Sequence, residues 1–505
     1  MSNELQIPTL LMLMLLMGAL IAIAIRGARK TDSVSDYAIG NLQFSPVAVG
    51  LALAASMTSA ATFIINPGLI ALYGFSGVIS YAVVLPVAAF ISLIFLTRRF
   101  REHGTKVKAL TMAQWMGNRY NNKKLSLLFA VLSVLLISFI VLIVVGLAQL
   151  LSKPLNADPI WVMLGIVVFV FGYMMFGGAN ALIYTNTVQA SLMFVVAILL
   201  LWSGREYFNT GWDGFTAQLG AIDPQLTKFT YPSSLLFRDY FEIIFCQIVI
   251  GIAVVCQPHI LTKSLILKKS GDVNKFLLTS ILVMTVFFAV VITGLYARIS
   301  FPEFMLDGVA IKPDQIISMY IIEKFNTAAL LLITLGLIAA GISTLEGLIQ
   351  SLSVTFTQDL LLDHIPALDS LTNSQKIVLN RIVIIFMAVL TVVFSFRQIV
   401  APDLSVAIFA QNGVYAFFGA AFFPLVSGMF TQFSSSKLMF ITSATSLIVH
   451  FGTYYGKIGP YLQNDINNPA ISATYAICCS SLIGMAGIIF MKKGTSKELS
   501  KSIPS

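Results

Sequence analysis

Only 10% of the 505 residues are charged, whereas an ordinary soluble domain carries roughly 25%. Acids are the scarcer sign, 22 Asp and Glu against 31 Lys and Arg, and there are just four cysteines and four histidines. That leaves little material for a disulfide scaffold or a metal cluster. Cys246, Cys256, Cys478 and Cys479 all fall in apolar stretches and read as buried thiols. Cys256 and His259 form a lone C-x-x-H without the second pair that a structural metal needs. No phosphate-binding glycine loop and no nucleophile–base pair is evident, so the chain does not read as an enzyme. The basic excess lacks interleaved aromatic residues, which argues against nucleic acid as a partner.

What the chain has in quantity is apolar sequence, 57% of all residues. Windows of roughly 20 apolar residues, enough to cross about 30 Å of hydrocarbon, fall near 7–25, 46–73, 76–97, 124–151, 158–176, 183–204, 238–260, 274–297, 326–351, 382–400, 403–430, 437–455 and 468–491. The fold class is therefore all-α, a polytopic membrane protein of about 13 transmembrane helices. With the N-terminus outside, about 22 of the 31 Lys and Arg lie on the cytoplasmic side, in clusters such as Arg98/Arg99/Arg101, Arg119/Lys123/Lys124 and Lys263/Lys268/Lys269. That asymmetry predicts an N-out, C-in protein of the inner (plasma) membrane. The lead-in Met1–Ser2–Asn3–Glu4 has no positive charge, so the first window reads as a retained span and not a signal peptide. Only about a dozen polar residues follow the last window, which leaves no room for a signalling domain there.

Polar side chains at membrane depth are costly unless they line a cavity or find partners. The run Ala339–Ala340–Gly341–Ile342–Ser343–Thr344–Leu345–Glu346 sets two hydroxyls and an acid in the ninth window. On a helix, both hydroxyls lie within a turn of the Ala340 carbonyl, which gathers neutral oxygens suited to a hard cation such as sodium. The competing reading is that each hydroxyl bonds back to its own helix. Two windows are also interrupted. The second passes through Ala55–Ser56–Met57–Thr58–Ser59–Ala60–Ala61–Thr62 to Asn66–Pro67–Gly68, and the seventh contains Gln247, Gly251 and Gln257–Pro258. Interruptions five windows apart predict two inverted five-helix repeats with a site at the midplane. The expected division is 1–45, an outer segment and peripheral first helix; 46–430, the transporter core; and 431–505, two peripheral helices and a short tail.

The same residues resemble the sodium:solute symporter family. The stretch Ser59–Gly68, the segment Thr111–Tyr120 ending in Arg119–Tyr120, the pair Gly177–Gly178 followed by Tyr184–Gln189, the tetrad Gln257–Pro258–His259–Ile260, and Ser343–Thr344 with Asp359 beyond occur in the family's order and spacing. The resemblance is nearest to the bacterial sodium/pantothenate and small-carboxylate branch. It implies a leucine-transporter-like fold, alternating access, and sodium-coupled uptake of a small organic solute such as a carboxylate, vitamin or amino acid, in a protein functional as a monomer. It also implies a sodium site of Ala55, Thr58 and Ala340 carbonyls with Ser343 and Thr344 hydroxyls. One departure stands out: Asn186 occupies a position where the family usually has Asp, an acid tied to inward ion release. Glu346 either compensates as an ion-release or coupling acid or is a structural, hydrogen-bonded one. The departure at Asn186 also keeps open a solute sensor or a weakly coupled facilitator.

Positions that bind sugar in the family's sugar transporters are apolar here, namely Ala82, Leu85, Ile250, Ala253 and Val254. Sugar hydroxyls left unpaired cost about 1–3 kcal/mol each, so sugars are not expected. The predicted solute contacts are Ser59, Thr62, Tyr81, Gln247, Ile250, Val254 and Gln411, one small polar head against an apolar wall; the alternative for each is packing against a neighbouring helix.

Overall fold

The structure is a computed structural model that describes residues 2–501 apart from 307, 308, 312–314, 369, 402–405 and 465. Among the described residues, nine helices are long and apolar enough to cross a membrane, and two bent pairs raise this to eleven. The remaining two of the thirteen have physical reasons for hiding. Pro159–Ser203 is continuous over 45 residues, which as a straight helix would measure about 68 Å, more than twice the hydrocarbon thickness. Gly178, at φ 59°, divides it into spans five and six. Any Cβ there would sit 2.8 Å from the Tyr37 ring, so only glycine fits both the angle and the contact. Span twelve, Ser436–Tyr455, is the second case. It turns Thr442, Ser443, Ser446 and His450 inward, and Ser443 donates to the Ala420 carbonyl of span eleven at 2.9 Å. Those inward polar groups lower its hydropathy without exposing it to lipid.

The other spans are Ser2–Ala28 (one), Phe75–Lys106 (three), Lys123–Leu155 (four), Ser270–Ser300 (eight), Thr327–Leu362 (nine), Asn373–Val400 (ten), Val406–Phe430 (eleven) and Pro469–Lys501 (thirteen). Spans two and seven are the bent pairs, Pro46–Met57 with Ala61–Tyr73 at 58° and Phe241–Val254 with Pro258–Ile266 at 60°. Near-equal bends five spans apart are what an inverted repeat demands.

In span seven the break falls where the sequence places it, with Pro258 opening the second piece. Span two corrects the expectation. Its helix ends at Met57, ahead of Asn66–Pro67–Gly68, and Pro67 sits near the start of an α-helical piece that follows a π-helical turn at Ala61–Ile65. The π register tolerates a missing N–H, so this proline does not break the chain. Three more π turns, Ile79–Val84, Phe241–Cys246 and Phe356–Leu362, lie in spans three, seven and nine.

The lipid-facing surface is apolar, with Leu15, Phe95, Val168, Ile448 and Phe490 exposed. It also carries Cys479, which is exposed, while Cys478 is half-buried and Cys246 and Cys256 are buried. The reading of four buried thiols therefore holds for two. Between spans six and seven, Gly211–Ile222 is a helix and Phe208 stacks on Phe215 at 4.3 Å, and Ile316–Lys324 is a helix ahead of span nine.

Candidate functional site

The break in span two exposes backbone to span nine. Ser343 donates its hydroxyl at 2.9 Å to the Ala55 carbonyl and at 3.0 Å to the Ala340 carbonyl; Thr344 reaches the same two oxygens at 3.4 and 3.2 Å. Four neutral oxygens from two helices thus converge on one buried point. The donor set fits a partly dehydrated monovalent cation, since it is all oxygen, uncharged and drawn from hydroxyls and carbonyls. Thr58 is engaged here through its donors. Its amide and hydroxyl both bond the Ala54 carbonyl, at 3.2 and 2.6 Å, and cap the broken helix.

A second polar layer lies beneath. Ser56 donates to the Ser343 carbonyl at 3.4 Å and accepts from the Asn186 amide at 3.1 Å. Asn186 is buried, and its carbonyl oxygen has no hydrogen-bond partner. Glu346, also fully buried, accepts from the Thr185 hydroxyl at 2.5 Å, from Gln189 at 3.1 Å and from the Tyr173 phenol. Three hydrogen bonds hold this acid between spans five, six and nine. Thr185 and Gln189 were within the quoted Tyr184–Gln189 stretch, but their bond to Glu346 could not be read from spacing. Tyr173 offered only the general signal of a polar group at membrane depth.

Lys263 corrects another expectation. Counted with the loop charges, it is in fact 2% exposed, and its ammonium makes no hydrogen bond. It follows His259 by four residues and so shares its helical face.

The predicted solute contacts are less gathered. Tyr81 lies on the π turn of span three, edge-to-face with Phe237 at 5.1 Å and within hydrogen-bonding reach of half-buried Gln411. Gln247 is buried with an unpartnered side-chain carbonyl, Ile250 is buried and Val254 half-buried. Ser59 accepts from the Ala61 amide at 3.2 Å, within the break, and Thr62 follows on its π turn. No hydrogen bond joins Ser59 or Thr62 to Tyr81 or Gln411 among the described residues. A cavity of about 210 Å³ opens beside the break, against Ala60, Ala61, Ile64, Ile143, Gln149 and Leu337, and none of the seven predicted contacts lines it.

Elsewhere the motifs act as clamps. Arg119 donates to the Gly428 and Thr431 carbonyls at 2.7 and 2.5 Å, and Tyr120 to the Pro424 carbonyl at 2.7 Å, which pins the segment between spans three and four onto the end of span eleven. Asp359 accepts from Thr111 at 2.7 Å and Ser126 at 2.9 Å, tying the end of span nine to the same segment and to the start of span four.

The model of the sodium:solute symporter family matches residues 37–454. The chain belongs to that family. It is 25% identical over 460 residues to the sodium/pantothenate symporter of Haemophilus influenzae, covering 89% of each chain, and 25% identical over 471 residues to that of Escherichia coli, covering 90% and 91%. In fold it is similar to a sodium-coupled sialic acid symporter in a substrate-bound, outward-open state, with a TM-score of 0.76 at 14% identity over 95% of this chain and 98% of that one. The symporter thus has the leucine-transporter-like fold and is a multi-pass membrane protein that couples solute movement to sodium. Its family consists of transporters, in line with the missing enzyme motifs.

Proposed function

We propose that this symporter takes up a small organic carboxylate by alternating access, driven by sodium bound between spans two and nine. The observation that carries the reading is the convergence of the Ser343 and Thr344 hydroxyls on the Ala55 and Ala340 carbonyls. Such a site stitches the broken span to the ninth, so that a cation completes the contact and its departure loosens it. The Thr58 carbonyl, at the break, is the fifth ligand of the proposal. One positive charge moving across 100 mV supplies about 2.3 kcal/mol, or roughly 40-fold accumulation.

The solute site runs along Ser59, Thr62, Tyr81, Gln247, Ile250, Val254 and Gln411. The unpartnered Gln247 carbonyl and the Tyr81–Gln411 pair support a polar head group there, and the apolar Ile250 and Val254 support a small hydrophobic body. The piece of span two that begins at Ala61 presents a helix N-terminus to an anionic head, with no arginine required. Pantothenate, proline and sialic acid, named in the relatives' descriptions, are all carboxylic acids, and pantothenate is the first compound to test. Asn186 and Glu346 line the release route below the ion. The remaining elements of the reading are a core of 46–430 flanked by 1–45 and 431–505, an N-out, C-in orientation in the inner membrane, and a functional monomer.

The test is uptake into proteoliposomes of labelled pantothenate, amino acids and other carboxylates, with and without an inward sodium gradient. Sodium-stimulated accumulation of one carboxylate is the expected result. Gradient-independent equilibration of every compound would instead establish a facilitator or sensor.

A further inference from the structure

Span seven is anchored at its outer end by a cluster that the sodium and solute readings leave unused. Glu242, on the π turn Phe241–Cys246, is fully buried, and Arg238 closes on it with its amide at 2.8 Å and its guanidinium at 3.0 and 2.6 Å. The other half of the cluster comes from the connection between spans twelve and thirteen. Asn468, itself buried, donates to the Glu242 carboxylate and to the Leu236 carbonyl, each at 3.4 Å, while its own side-chain carbonyl accepts from the Ala470 amide at 3.0 Å and caps span thirteen. Tyr461 accepts from Arg238 on its backbone carbonyl at 3.0 Å and donates its phenol to Asp239 at 2.6 Å. Its ring lies 5.1 Å from the Arg238 guanidinium and 5.2 Å from the Phe241 ring. A forked guanidinium–carboxylate pair fixes orientation, and losing one of its partners strands a buried charge.

Two of the predicted solute contacts adjoin this cluster. Phe237, between Leu236 and Arg238, packs edge-to-face on Tyr81 at 5.1 Å. Gln247 directly follows the π turn that carries Glu242. The register of a π turn decides where the next side chain points, and this turn cannot change register without drawing the Glu242 carboxylate away from Arg238 and Asn468. The Ser343–Thr344 group shares no hydrogen bond with the cluster among the described residues.

We propose that Glu242 and Asn468 are positioning residues of the solute site: through them the connection between spans twelve and thirteen, outside the core of 46–430, holds the π turn in register and so places Gln247 and Tyr81. The inference rests on the reading of Gln247 and Tyr81 as solute contacts. It makes solute recognition depend on the peripheral helices, and leaves sodium binding independent of them.

The test combines two readouts, one of which needs no solute. Cys246 closes the same π turn and is buried, and buried Cys256, in the break beyond, serves as internal control once Cys478 and Cys479 are replaced by Ser. Asn468→Asp keeps the oxygen that caps Ala470, removes both donated bonds and sets a second acid beside Glu242; Glu242→Gln keeps the shape and removes the charge. In each variant, labelling of Cys246 by a maleimide should quicken by about tenfold, with Cys256 unchanged, because the turn opens locally. In proteoliposomes, the KM for labelled pantothenate should rise about three- to tenfold, with kcat and the half-saturating sodium concentration within about twofold of wild type. Where Asn468→Asp fails to fold, Tyr461→Phe, which removes only the phenol and keeps the ring, takes its place. Unchanged Cys246 labelling in folded variants overturns the proposal, and so does an equal rise at Cys246 and Cys256, which marks general loosening. Faster Cys246 labelling with an unchanged KM overturns the link to the solute site. Wild-type protein that carries no pantothenate would reject that solute instead, and the labelling would still judge the cluster.

Discussion

Replacing Ser343 by Ala and Thr344 by Val removes two oxygens while keeping the volume at Thr344. Each hydroxyl bonds both the Ala55 and the Ala340 carbonyl at 2.9–3.4 Å, so the sodium-free protein itself loses contacts. With a net 0.5–1.5 kcal/mol per hydrogen bond, and the two longest contributing least, the baseline cost is about 1–3 kcal/mol. The informative quantity is the additional stabilisation by sodium. At a sodium concentration 100 times the dissociation constant, binding stabilises the native state by about 2.7 kcal/mol. A tenfold weaker site at the same concentration gives about 1.4 kcal/mol. Thermal melting across a sodium titration, with choline holding ionic strength constant, separates the lowered baseline from the reduced increment. A double variant whose baseline drops but whose sodium increment equals that of wild type would show that the hydroxyls serve only the helices, and the ion site would have to be sought elsewhere.

Asn186→Asp places a carboxylate where an amide now donates to Ser56, and at an effective dielectric near 20 it attracts a departing cation by a few kcal/mol; turnover per folded molecule at saturating sodium should rise, with a smaller change in external sodium affinity, and equal or lower turnover rejects release through this position. His450→Gln should leave apparent sodium affinity within about twofold, because the ring nitrogen contacts the Asn412 carbonyl at 3.2 Å and supports span eleven away from the ion; a sodium titration of uptake checks it. Gly251→Val should abolish transport or folded yield, since a Cβ there would lie 2.6 Å from the Leu85 carbonyl and force spans three and seven apart; wild-type uptake by this variant would mean that the two spans are not packed as described.

The number of spans and the two interruptions were legible because hydrocarbon thickness and helix breakers act locally along the chain. The exact break in span two was not, since Pro67 is the stronger sequence signal and yet the π turn before it absorbs the missing donor. The Ser343–Thr344 pair could be read from polarity at depth, and its bond to Ala55 followed from the family resemblance, not from spacing. Lys263 was misassigned to a loop because it lies just past an apolar window, where a lysine ordinarily reaches water. Its burial depends on how the piece after Pro258 folds back, and that is a tertiary fact.

The π turns in spans two, three and seven have a mechanical meaning of their own. Each loops one residue more than an α-helix would need over the same stretch. Converting one of them to α register would advance the helix beyond it by about 1.5 Å and turn its side chains by about 100°. These three helices therefore carry a residue of slack apiece, in the segments Ala61–Ile65, Ile79–Val84 and Phe241–Cys246. A side chain such as Thr62 or Tyr81 can swing to a new bearing without the helix having to unwind.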